Sequence, residues 1–274
     1  ERYGLVWAYL GPPEKKPVLP RYACLEELEA GEFLEANDQS IGGGGPQIVP
    51  CNWLQHYENL VDPFHVVILH SSFSGTQFVE QMALMPEVSW DTQEMSVRTL
   101  SVRKLPDGKT FRRISEAGLP TLRVIPSPRV GRWGPVESLG WVLPIDDHHF
   151  RIYVVGRVRE AGELVKMRSR LNGKLWEELS DEEHQRFPGD HEAMVSQGVI
   201  AKHSEEHLAT TDRGIVMLRK LRGGATPVRG AAPLMTLRQT MRLSAKQAVH
   251  AIEFDDRVLL ADTTLVPVSC VFSA

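Results

Sequence analysis

Asn59, Asp62, His65 and His70 put an amide, a carboxylate and two imidazoles into one short stretch of the chain, residues 51–70. Asp62 and His65 are three apart and share a helix face. His65 and His70 are five apart, which separates them by about 140° around an ideal α-helix. Both rings can face one ion only if the helix loosens into a wider turn or ends between them, and Pro63 removes a backbone donor where that irregularity is needed. With a carboxylate from a distant segment, the histidines would form a two-histidine, one-carboxylate face that leaves positions open on Fe(II) for dioxygen and substrate. The residues alone leave other readings open. The histidines could be hydrogen-bonded at a domain surface, or serve a hydrolytic zinc site, although the His-Glu-x-x-His base arrangement is absent.

The elements around this stretch define an α+β chain. Residues 51–70 read as helix and 4–10 as an opening strand before the Gly11-Pro12-Pro13 turn; a short acidic helix is expected near 23–31. Residues 78–85, 88–104, 110–114, 121–125, 138–143 and 150–158 are rich in β-branched and aromatic residues and separated by short turns, so they form an antiparallel meander. Residues 161–222 return to helix, with Ser180-Asp-Glu-Glu183 as a capping-box start. The glycine run 42–45 lacks the Gly-Lys-Ser/Thr ending of a phosphate loop and reads as a connector.

Of the 274 residues, 31 are basic and 35 acidic, a formal net charge of −4. That balance argues against nucleic acid or an anionic membrane as partner. No apolar run approaches the ~18 residues of a bilayer span, and no basic region precedes an apolar stretch at the N-terminus. Cys24, Cys51 and Cys270 are odd in number and widely spaced, as expected of unpaired thiols in a reducing compartment, so a cytoplasmic protein is expected.

The string Glu58-Asn59-Leu-Val-Asp62-Pro-Phe-His65, followed after four residues by His70, resembles the iron-binding signature of Rieske non-heme iron aromatic ring-hydroxylating oxygenases, in particular the phthalate and phenoxybenzoate dioxygenase-like branch. Three further stretches are similar to that family's catalytic domain, in order: residues 3–13, residues 141–147, and residues 190–198 with 204–215. The resemblance implies a helix-grip fold, a curved antiparallel sheet wrapped by helices. It implies His65, His70 and Asp190 as ligands of a mononuclear Fe(2+), with Glu192 the alternative third ligand; Asp190 is favoured by its spacing to Gln197 and Gly198. Asp62 would be the bridging aspartate toward a Rieske histidine of a neighbouring subunit, and Asn59 a polar group beside the iron.

The same resemblance implies electrons from NAD(P)H through a reductase or ferredoxin to a [2Fe-2S] Rieske cluster, a homotrimer, and hydroxylation or O-dealkylation of an aromatic small molecule. The Cys-x-His and Cys-x-x-His pairs of such a cluster do not occur in this sequence, so the cluster domain is expected upstream of residue 1. Residues 1–222 are taken as the oxygenase catalytic domain and 223–274 as a C-terminal extension. A rival reading is a helix-grip binding module that holds an apolar ligand without catalysis.

Two smaller groups have plainer explanations. His148 and His149 beside Asp146 and Asp147 read as a solvated turn. Arg98, Arg103, Arg112 and Arg113 could attract a carboxylate but fit a solvated sheet face.

Overall fold

The computed structural model describes residues 1–9, 11–16, 18–38, 44–74, 77–126, 138–166, 171–224 and 252–253. Its frame is an antiparallel sheet of β1 (Phe33–Asn37), β2 (Glu87–Thr92), β3 (Ser96–Lys104), β4 (Thr110–Gly118), β5 (Leu122–Ile125), β6 (Ser138–Pro144) and β7 (Phe150–Val158), in the order β1-β7-β6-β5-β4-β3-β2. A two-residue strand, β8 (Ile252–Glu253), pairs with β4 at Arg112 and Arg113. The helices are α1 (Ala23–Glu26), α2 (Trp53–Asn59), α3 (Phe64–Val67), α4 (Glu163–Lys166), α5 (Asp181–Arg186), α6 (Asp190–Val195) and α7 (Arg213–Gly224). The expected α+β fold, an antiparallel sheet wrapped by helices, is what forms. The final segment expected to be an extension lies outside the described residues beyond α7, apart from β8.

Strand alternation divides the buried side chains between two faces. Val97, Ala117, Val142, Phe150, Ile152 and Val154 point one way and pack under Trp53, Tyr57, Leu60 and Val61, with Met194 of α6 and Leu218 of α7. We call this the inner face. Leu122, Val124, Leu139, Trp141, Tyr153 and Val155 point the other way and are covered by Tyr3, Leu5, Tyr22, Cys24 and Leu25. Central strands buried on both faces lose the buried–exposed alternation of a half-solvated sheet, and β7 accordingly is buried along almost its whole length.

Helix α2 lies on the inner face because Trp53, Tyr57, Leu60 and Val61 recur at helical spacing. Polar ties fix its far end. The Tyr57 hydroxyl donates to the Gly118 carbonyl, Ser115 Oγ to the Leu60 carbonyl at 3.2 Å, and Trp90 Nε1 to the Val61 carbonyl at 2.8 Å. A Cβ at Gly214 would lie 2.3 Å from Trp90 Nε1 and 2.5 Å from the Val61 carbonyl, so only glycine lets α7 close over this corner.

Several local expectations are corrected. Of the expected strand 4–10, the described residues 4–9 form no strand; this part of the chain makes one β-bridge, Arg2 with Leu5, and wraps onto the outer face, with φ of 59° at Tyr3 and 74° at Gly4. In 78–85 the chain forms a 3₁₀ turn, Glu80–Ala83, which buries Met82 instead of pairing an edge. Residues 88–104 fold as the β2–β3 hairpin. The acidic helix near 23–31 is only the four residues of α1. Ser180 does cap α5: its Oγ accepts the Glu183 amide while the Glu183 carboxylate accepts the Ser180 amide. Arg103, expected on a solvated face, is 1% exposed on the inner face, bonded to the Leu84 carbonyl at 2.8 Å. Arg98 faces Glu116 at 3.5 Å. Among the described residues no helix is long and apolar enough to cross a membrane.

Candidate metal centre

The five-residue spacing of the histidines is accommodated by the backbone defect it requires. Helix α2 ends at Asn59, α3 begins after Pro63, and the chain then widens into a π-helical turn, Ile68–Phe73. Asp62 starts this segment: its Oδ1 accepts the Phe64 amide at 2.8 Å. A π-turn brings residues five apart nearly into line, and the His65 and His70 ring centroids are 5.4 Å apart.

The carboxylate comes from Asp190, the first residue of α6. Its Oδ1 is 2.9 Å from His70 Nε2 and 3.7 Å from His65 Nε2. One ligand atom from each of His65, His70 and Asp190 lies within 4.8 Å of the others. With bonds of about 2.1 Å, donors at right angles around an ion stand about 3.0 Å apart, so this donor set fits a single divalent metal with little rearrangement. The outer ring nitrogens are already occupied. His65 Nδ1 faces the Asp62 carbonyl at 2.5 Å, and His70 Nδ1 faces Gln77 Oε1 at 2.6 Å.

Electrostatics point the same way. Burial works to raise the Asp190 pKa, but the facing His70 and His65 rings overcome it and hold the carboxyl far below the ordinary carboxylate range. At His65 burial works downward and is outweighed by the hydrogen bond to Asp62 and the charges of Asp190 and Asp62, so its pKa is raised. At Asp62 burial is likewise outweighed, by the hydrogen bond and charge of His65 and by the Phe64 and His65 amides, and its pKa is lowered. Side-chain exposure climbs from 0% at His70 through 20% at His65 to 26% at Asp62, so the site opens to solvent on the Asp62 side.

Glu192 is turned away from this cluster. Its carboxylate takes the Trp176 indole N–H at 2.8 Å, His184 Nδ1 at 2.9 Å and the Gly189 amide at 2.7 Å. Asn59 sits half-buried at the end of α2, where its carbonyl accepts the Asp62 amide at 3.1 Å. Two glutamines escaped the sequence reading. Gln55 donates to the Met194 and Gly198 carbonyls at 2.9 and 3.0 Å and accepts the Ala201 amide at 3.1 Å, binding α2 to α6. Gln77 braces His70. Neither belongs to a ligand-type motif, and both stand among other polar residues, Gln55 beside His56 and Gln77 beside Thr76, so the sequence does not single them out.

A second convergence among the described residues, Glu58, His203 and Glu206, already has its cation. Arg219 bonds both carboxylates at 2.6 to 3.0 Å. His149 and Asp146 form an exposed pair at 3.0 Å, as a solvated turn requires.

Sheet, helices and triad together define an antiparallel α+β protein in which two histidines and one carboxylate converge closely enough to hold a metal ion. No protein-family model matches the chain. It is 46% identical over 228 residues to the phenoxybenzoate dioxygenase subunit alpha of Ectopseudomonas oleovorans, covering 80% of this chain and 54% of that protein. It is 32% identical over 268 residues to the tert-butanol monooxygenase / tert-amyl alcohol desaturase oxygenase subunit of Aquincola tertiaricarbonis, covering 85% and 52%. A solved structure of the Pseudomonas putida CBB5 NdmA QL mutant with theobromine aligns over 81% of this chain and 58% of its own, with 17% identity and a TM-score of 0.48. The chain belongs to the alpha subunits of the Rieske oxygenases and matches their catalytic domain. It spans about half the length of the curated relatives it matches.

Proposed function

We propose that this chain is the catalytic part of an oxygenase component that uses O2 and a mononuclear Fe(II) to hydroxylate or O-dealkylate an aromatic small molecule. The observation that carries the reading is the convergence of His65 Nε2, His70 Nε2 and Asp190 Oδ1 from segments distant in sequence. Bound Fe(II) would supply reductive dioxygen activation at the coordination positions these three side chains leave open.

The protein's own residues have separate tasks. His65 and His70 offer Nε2 because their Nδ1 atoms face the Asp62 carbonyl and Gln77. Asp190 brings the one negative charge, and burial of His70 and Asp190 keeps water from competing for them. Asp62, joined to His65 and partly exposed, stands where a histidine of a neighbouring subunit's Rieske cluster could donate to it. That arrangement calls for a homotrimer, and for electrons from NAD(P)H passed on by a reductase or ferredoxin partner to a [2Fe-2S] cluster.

Iron analysis tests the reading. Anaerobic loading with Fe(II) should give about one iron per chain, and Asp62→Asn should keep most of it, because Asp62 orients a ligand and is not one. A folded chain that excludes iron would favour a binding module without chemistry.

A further inference from the structure

The amide of Gln77 lies between the two halves of the triad. Its Oε1 is 2.6 Å from His70 Nδ1, and its Nε2 is 3.1 Å from the carbonyl of Pro188, two residues before Asp190. Its own backbone amide returns to the His70 carbonyl at 2.8 Å. Ser74, at the end of the π-turn, donates to the same Pro188 carbonyl at 2.6 Å.

Donor and acceptor identities along this chain of bonds admit one assignment. A proline carbonyl can only accept, so the Gln77 NH2 group must face it. The Gln77 oxygen is then the atom directed at His70, and it too can only accept, so His70 Nδ1 must carry a proton. Nε2 faces the Asp190 carboxylate at 2.9 Å, and it is the nitrogen a metal would take in place of the proton shared with that carboxylate. A backbone carbonyl on the Asp190 segment thus dictates the tautomer of a histidine that lies 120 residues from Asp190.

We propose that Gln77 is the positioning residue of this centre: it fixes His70 as an Nε2 ligand and ties it to the turn that presents Asp190. The inference rests on the reading of His65, His70 and Asp190 as a metal site. No other described side chain bonds His70 Nδ1, so the tautomer has no second guardian. In Gln77→Leu, a side chain of similar size, the ring loses its acceptor and the Pro188 tie together. In Gln77→Glu the acceptor for Nδ1–H remains, and Ser74 still holds Pro188.

Titration with Co2+, followed by its visible absorption, reads affinity and ligand field without turnover. Gln77→Leu should bind Co2+ about 10- to 100-fold more weakly than the unaltered protein, with a changed spectrum, while Gln77→Glu should stay within a few-fold. Nitrogen-15 NMR of the Zn2+-loaded, unaltered protein gives a check that does not depend on any variant folding: the His70 ring should carry its proton on Nδ1 and the metal on Nε2. A ring metallated through Nδ1 overturns the proposal. So does a folded Gln77→Leu that binds Co2+ as tightly as the unaltered protein. If the unaltered protein takes up neither Co2+ nor Zn2+, it is the metal site itself that falls.

Discussion

The two faces of the sheet are both buried but differ in which polar groups they leave without a hydrogen-bond partner. Under the outer cover the hydroxyl of Tyr3 and the indole of Trp7 are paired. Tyr3 donates to Glu26 at 2.8 Å and accepts the Tyr22 amide at 2.9 Å, Trp7 donates to the Arg2 carbonyl at 3.0 Å, and Trp7 and Tyr22 pack edge-on against Trp141. Under the inner cover His56, 1% exposed and stacked on Phe150, has no partner for either ring nitrogen among the described residues. Burial and the nearby Arg123 charge push its pKa down to about 3. An unpaired buried polar group costs about 1–3 kcal/mol. The outer face also leaves buried polar atoms without a hydrogen-bond partner among the described residues, Arg98 Nε and Arg151 Nε among them, but only on the inner face does an imidazole close to the triad bear that cost.

Paired truncations offer the strongest way to break this contrast. Phe150→Ala on the inner face and Trp141→Ala on the outer should each cost about 3–5 kcal/mol in urea unfolding. Only Phe150→Ala should also weaken Co2+ binding by the folded protein. Equal losses of metal affinity in both would erase the distinction.

Next in size are the ligands themselves. His65→Ala, His70→Ala and Asp190→Ala should each lower metal affinity at least about 100-fold, roughly 2.7 kcal/mol, with melting temperature less affected than in Phe150→Ala. Glu192→Ala should leave metal affinity nearly intact, because its carboxylate is committed to Trp176, His184 and Gly189. The reverse result, an empty site in Glu192→Ala and a full one in Asp190→Ala, would reassign the third ligand.

Gln55→Ala removes the bonds between α2 and the far end of α6, leaving two carbonyls and an amide to find new partners. It should cost about 1–3 kcal/mol and weaken Co2+ binding only a few-fold. Isothermal titration beside denaturation would separate the two effects.

The smallest effect is a pH dependence confined to the outer face. Burial, together with the Glu26 hydrogen bond and charge, raises the Tyr3 pKa from 10.0 to about 12 against the lowering Tyr22 amide. The folded protein therefore holds this proton more tightly than the unfolded chain. The resulting stability is fully present below pH 10 and is lost as pH rises from there through about 12. Tyr3→Phe should flatten that slope, and a slope unchanged in Tyr3→Phe would place the titration elsewhere.

The site was more legible in the sequence than its supports. A five-residue histidine spacing beside a proline states a geometric conflict, and the π-turn resolves it in the anticipated way. The strands from 110 to 158 were legible because β-branched runs between turn residues leave little choice. The β1 segment, Phe-Leu-Glu-Ala-Asn, carries no such signal; it becomes a strand because β7 presents an edge to it. The opposite error arose at 4–10, where apolar residues suited to a strand are used to cover the outer face. Arg103 misled because composition marks a charge as exposed, whereas its neutral partners, the Leu84 carbonyl and Ser101, come from tertiary packing. Gln55 and Gln77 belong to the same class: an amide can serve any segment that folding brings near, and no local pattern names the recipient.

A π-turn is also what one inserted residue looks like inside a helix. Ile68, between the two histidines and 52% exposed, adds nothing to the buried core at that point. Without it the histidines would stand four apart, about 40° around a regular α-helix, and still on one side. The sequence is therefore a single deletion away from a regular helix that presents two histidines together. What the extra residue changes is the angle and height of His70 relative to Asp62, and hence whether the same helix can serve the buried triad and the exposed aspartate at once.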